Sequence, residues 1–143
     1  VVGDVSPVRI AEMLDFASSL AAMLELAEIV EEGPTLYHGQ PAHVLVVKLN
    51  GMQAEGIKEG RVKVKGNRMT LWIGADHVPL AAQRVAGFTA GILFLHADGT
   101  VTESWTFARR DDRLVVTRYE RNDSSSGMGE TSQGTTVETI ALR

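Results

Sequence analysis

The side chains able to do chemistry in this chain are few. They are His38, His43, His77 and His96, the Asp76-His77 dipeptide, the Asp111-Asp112 pair, and the run Asp123-Ser-Ser-Ser-Gly-Met-Gly-Glu130. A metal site wants imidazoles at ligand spacing, such as two on one helix face, and none of the four histidines has such a partner. Asp76-His77 has the composition of an acid/base pair. It sits, however, between Gly74 and Pro79, where aspartate characteristically bonds its own backbone to close a turn. Asp111-Asp112 falls between two strand-like runs and is read the same way, because paired carboxylates matter only in a shared, desolvated site. A serine nucleophile at Ser124, Ser125 or Ser126 would need a strained elbow and a histidine base, and neither is indicated. Gly127-Met-Gly129 would cradle phosphate only if a helix came next, and Thr135 onward reads as a strand. The residues therefore point away from an enzyme, and no cofactor motif is present.

Composition narrows the classes further. The 143 residues suit one domain spanning 1–143, and the absence of cysteine removes disulfides, thiolate metal sites and a cysteine nucleophile. A net charge of −4 argues against nucleic acid as partner, since that binding relies on a basic footprint. The signs are uneven: residues 1–33 are acidic, whereas Lys58, Arg61, Lys63, Lys65 and Arg68 form a basic stretch. That stretch is read as a solvated sheet face, with steering of anionic head groups as the sharper alternative. No apolar run approaches the ~18 residues of a membrane helix. Val1-Val2 in place of an initiator methionine reads as a processed or trimmed start, so a missing export signal carries no weight.

The elements that must position these side chains are mostly strands. Ser6-Pro7 is a helix start, and Ile10, Met13, Leu14, Ala17, Leu20, Ala21 and Leu24 recur at helical spacing, predicting one helix to about Leu24. Helix propensity would carry Leu26–Glu32 on to Gly33, but the order Ile29-Val-Glu-Glu32 into Thr35-Leu-Tyr37 favours a strand from about Leu26 to Tyr37, interrupted at Gly33-Pro34, then a turn at His38–Pro41 and a strand from His43 to Leu49. Arg61–Lys65 and Met69–Ile73 read as a hairpin about Gly66-Asn67. Leu80–Val85, Phe88–Leu95, Val101–Ala108, Arg113–Glu120 and Thr135–Leu142 are the remaining strands. Turns are expected at Ala97-Asp98-Gly99 and Arg110–Asp112, and a Ser/Gly-rich loop over 122–134. The fold class is thus α+β: an N-terminal helix packed on a curved antiparallel β-meander, a half-barrel of about eight strands.

The middle of the sheet is unusual. Strands with a solvent face alternate apolar and polar residues, yet Val44-Leu45-Val46-Val47 and Ile92-Leu93-Phe94-Leu95 are apolar on both sides. Trp105 and Phe107 share a face of the next strand. One helix of about 18 residues spans only ~27 Å and covers one side of a few strands. Either curvature, the 122–134 loop and the segment before Ser6 cover the rest, or a ligand, a second copy or a further segment does.

The segment Leu71-Trp-Ile-Gly-Ala-Asp-His-Val-Pro-Leu80 resembles the strand–acidic turn–Pro-Leu–strand pattern of the lipoprotein-carrier (LolA/LolB-like) superfamily of bacterial envelope proteins. The Ser-Pro helix start, Ile29-Val-Glu-Glu32, Gly39-Gln-Pro-Ala-His-Val-Leu45 and Ser104-Trp-Thr-Phe-Ala-Arg-Arg-Asp-Asp-Arg-Leu-Val-Val116 are similar too. The resemblance implies a half-barrel with a helix in its mouth, a periplasmic or envelope location, and in some members an acyl-chain ligand. Such proteins usually carry strands before the helix, so the resemblance also implies that this chain is the C-terminal portion of a longer exported protein.

The expectation is a non-enzymatic envelope binding module. Its apolar concave face, lined by Leu45, Val47, Leu71, Ile73, Phe94, Trp105 and Phe107, would take a lipid-like ligand or a protein segment. The alternative is a structural or assembly domain, a homo-oligomer whose sheet a second chain completes. A third, a hydrolase built on His77 or His96, requires the turn histidines and a carboxylate in one pocket.

Overall fold

The computed structural model describes residues 7–50, 62–92, 94–127 and 129–141. Ser6, the connection over 51–60, Arg61 and Leu93 lie outside that set. Two helices come first, α1 (Pro7–Leu14) and α2 (Phe16–Glu25). The single predicted helix is broken at Asp15, whose φ of −137° leaves the helical region, although its N–H still donates to the Ala11 carbonyl at 3.2 Å. Aspartate offers the backbone non-helical alternatives and favours helix starts over interiors, which suits this position. Met13, Phe16 and Leu20 are buried, while Ile10 and Leu14, expected on the same face, are exposed.

Seven strands come next, each antiparallel to its successor and paired in sequence order as one open meander. They are β1 (Ala27–Tyr37), β2 (Gln40–Leu49), β3 (Val62–Gly74), β4 (Pro79–Ile92), β5 (Leu95–Arg110), β6 (Arg113–Gly127) and β7 (Glu130–Thr139). The α+β meander stands. The strand count among the described residues is lower than expected because punctuation residues lie inside strands.

Three expected reversals are corrected. Gly66-Asn67 is not a hairpin: Gly66 has φ +66° and the β3–β4 register shifts between Lys65 and Asn67, so the glycine makes a bulge within one long strand. Ala97-Asp98-Gly99 is not a turn: Gly99 pairs with Phe88 inside the β4–β5 ladder, and a Cβ there would overlap the Phe88 ring. The small residue serves a cross-strand aromatic rather than a reversal. The 122–134 segment is not a loop: it pairs without interruption from Arg118↔Thr139 to Gly127↔Glu130, leaving two residues between β6 and β7. Serine and threonine sit readily on a pleated, half-exposed surface. Gly33-Pro34 likewise does not interrupt β1.

The registers assign the faces. Leu45, Val47 and Leu49 of β2, Met69 and Leu71 of β3, Ala82 of β4, Trp105 and Phe107 of β5, and Val116 and Tyr119 of β6 share the side on which Met13, Phe16 and Leu20 pack. Phe16 stacks on Trp105 and Phe107, with ring centroids 5.5 and 5.7 Å apart, and Trp105 leans on Tyr119 at 5.8 Å. Each such apolar side chain contributes about 1.5–3 kcal/mol on burial. The opposite face carries Val44, Val46, Trp72, Ala81, Ser104 and Thr106 in neighbouring registers, with Tyr37 against Trp72 at 5.7 Å.

Candidate binding face and its surroundings

The strand alternation brings six of the seven expected binding residues together. Val47, Leu71, Trp105 and Phe107 are buried, and Leu45 and Ile73 are partly buried against them. They form the protein's core, closed from above by Met13, Phe16 and Leu20, not an open concave face. Phe94 is not among them. β4 ends at Ile92, the chain reverses before Leu95, and Phe94 stands 95% exposed at that reversal. The apolar run 92–95 misled because it straddles a turn; its composition carries no sign of one.

A cleft of about 420 Å³ opens at the edge of this core, lined by Pro41, Ala42, His43, Ile73, Gly74, Ala75 and His77. Two imidazoles thus share one depression. Their carboxylate neighbours are otherwise engaged. Asp76 Oδ1 accepts the Val78 N–H at 3.2 Å, closing the turn as its sequence context suggested. Glu32 Oε2 lies 3.6 Å from His43 Nε2, with both side chains about half exposed. His96 pairs with Gly91 at the far end of β4, about 40 Å of strand from His77. A site using His77 and His96 together is therefore geometrically closed. His38 occupies the β1–β2 turn with φ +49° and packs edgewise on Tyr37. Among the described residues no three His, Asp or Glu side chains converge as a metal site.

Ser124, Ser125 and Ser126 lie within β6, and Gly127 leads on to β7. A strand thus stands where a phosphate-holding helix terminus would be needed. Lys63 and Lys65 are exposed, and Lys65 Nζ lies 3.7 Å from Asp98 Oδ1. The register places these lysines on the side away from Val64 and Phe88, the side the helices do not cover.

Sequence reasoning missed one polar constellation. Glu103 is only 8% exposed, accepts the Tyr119 hydroxyl at 2.7 Å through Oε1, and faces the Arg84 guanidinium through Oε2. Tyr119, Glu103 and Arg84 come from β6, β5 and β4 and flank the aromatic cluster. A signal existed: Glu103 is in phase with Trp105 and Phe107, a carboxylate at an inward position. On the uncovered face, Asn122 and Arg118 both donate to Glu120, at 3.0 and 2.9 Å. First the Asn122 bond and then the Arg118 bond hold the Glu120 carboxyl below its ordinary pKa.

No helix among the described residues is long and apolar enough to cross a membrane. Set against known protein families, curated proteins and solved structures, the chain finds no match in any of the three.

Proposed function

We propose that this protein is a non-enzymatic binding module of the cell envelope that receives a lipid-like ligand or an apolar protein segment on the sheet face its helices cover. One observation carries the reading. A broad apolar surface running from β2 to β6 is closed by three buried helix side chains, Met13, Phe16 and Leu20, on two helices broken at Asp15. Two helices of eight and ten residues are only about 12 and 15 Å long. Leu45, Ile73, Leu114 and Ile140 around the closed centre stay partly exposed, an apolar rim that a guest would extend over. α2 approaches both β2 and β6, strands separated by three others, which favours a sheet curved around the helices in the manner of a half-barrel. A guest would take the place of the helix pair rather than fill a standing cavity. The envelope location goes with the lipoprotein-carrier resemblance.

The test uses Phe16, the side chain most engaged with the sheet aromatics. Phe16→Ala removes stacking on two rings and is expected to lower unfolding free energy by about 3 kcal/mol. If the helices act as a displaceable cover, the same change raises affinity for a long-chain fatty acid, read from Trp fluorescence. It does so because the uncovered state is already more populated. Wild-type protein should also carry acyl chains detectable by mass spectrometry of an organic extract. Loss of stability with no fatty-acid response in either form, and a clean extract, overturns the proposal.

A second reading is an assembly domain whose sheet is completed by another chain. It is favoured by the open meander, which leaves β1 and β7 as edges.

A further inference from the structure

The two edges of the sheet are not equivalent. β1 is obstructed. Its connection to β2 is the two-residue turn His38-Gly39, with φ +49° and +77°, so Tyr37 and Gln40 form the closing hydrogen-bonded pair. Hydrogen-bonded and open pairs then alternate. Tyr37, Thr35 and Gly33 face β2, while Leu36, Pro34 and Glu32 face outward. Pro34 thus stands where an outward N–H would be, the register is bulged between Ile29 and Glu31, and Glu28, Glu31 and Glu32 add charge. These are the devices by which edge strands avoid pairing.

β7 has none of them across its middle. It pairs with β6 over ten residues with no bulge, and Thr131 to Val137 contains neither proline nor charge. Two residues link it to β6, so Gly127 and Glu130 are a hydrogen-bonded pair. The Ile140 N–H, which donates to the Thr117 carbonyl at 2.9 Å, gives the same phase at the other end. Thr131, Gln133, Thr135, Val137 and Thr139 therefore aim their N–H and C=O groups away from the sheet. Among the described residues no strand receives them.

We infer that β7 is the docking edge for a second copy of this chain, pairing antiparallel about a two-fold axis at Thr135. This rests on the assembly reading and specifies its partner and register. Outward residues must meet outward residues, and overlapping the two strands along nearly their whole length puts the axis next to the middle of β7, at Gly134 or Thr135. An axis at Gly134 sets Glu130 against Glu138 of the other copy at both ends. The Thr135 axis sets Thr131 opposite Thr139, Gln133 opposite Val137 and Glu138 opposite Ser132, with no glutamate facing a glutamate, and forms about ten backbone hydrogen bonds. The obstructed β1 edge stops further addition, so the assembly closes as a dimer instead of growing.

The experiment is sedimentation equilibrium on the wild-type chain and three variants, with far-UV circular dichroism confirming the sheet. Wild type is expected to dimerise. Thr135→Lys and Thr135→Glu each place like charges across the axis and should weaken dimerisation about tenfold or more, whereas mixing the two restores a heterodimer. Gln133→Pro removes an outward N–H without touching the β6 ladder and should also give monomer. A wild-type dimer that ignores all three substitutions overturns the β7 edge but leaves assembly standing. A dimer lost in Gln133→Pro but not rescued by the charge mixture overturns the register. A wild-type monomer at all concentrations overturns both this inference and the assembly reading.

Discussion

Glu103 shows how much a single inward charge governs. Its carboxylate accepts a neutral hydroxyl on one oxygen and forms an ion pair with a guanidinium through the other. Removing it leaves the Arg84 guanidinium, itself mostly buried, without its counter-charge. Breaking one half of such a pair costs more than removing both halves. Glu103→Ala is expected to lower stability by about 3 kcal/mol in urea unfolding, and Arg84→Met combined with Glu103→Leu to recover most of that loss. Equal losses in the single and the double variants would mean that the pair is not coupled. The residue was readable in advance, since position 103 shares a face with 105 and 107. Its partners were not, because only the β4–β5–β6 register brings Arg84 and Tyr119 beside it.

Elements were misjudged wherever a glycine or serine serves something other than a turn. Gly99 is the clearest case. Along the chain Ala97-Asp98-Gly99 has turn composition, but β4 lays Phe88 directly over Gly99. Gly99→Val should therefore cost about 2 kcal/mol by displacing the ring. Gly33→Ala, where a Cβ meets nothing within 4 Å, should change stability by less than about 0.5 kcal/mol. Thermal denaturation of the pair checks this; similar losses at both positions would mean that strand glycine, not the Phe88 contact, sets the cost. The 122–134 segment failed for a related reason. Serine, threonine and glycine mark loops when read singly, yet ten consecutive partners on β7 turn them into a ladder.

The described residues divide into a seven-stranded ladder and a small helical cover. The strands are tied by backbone pairing along their length, whereas the helices rest on few side chains. Local opening should reflect that difference. In hydrogen exchange, amides of α1 and α2 should exchange at least about tenfold faster than those of β3, β4 and β5 around Met69, Ala82 and Trp105. Added fatty acid should widen the gap if a guest displaces the cover. Equal protection of helices and central strands would make the helices a fixed part of the core.

Read along the chain alone, the residues were enough to set the class of fold, its meander order and the shared apolar face of β2, β3 and β5. Alternation and helical spacing are local signals, and short connections force sequence neighbours to pair. Six of the seven apolar side chains that were expected to meet do so, since Leu45 and Val47, Leu71 and Ile73, and Trp105 and Phe107 each share a phase. That these six lie beneath the helices rather than at an open face was settled by the three-dimensional packing. It depends on where Met13, Phe16 and Leu20 come to rest, and a helix's apolar stripe does not state which sheet surface it will cover. The inequality of the two sheet edges was equally hidden. The proline, bulge and charges of β1 and the plain run of β7 are features of single strands, but a strand becomes an edge only when the full pairing order is known.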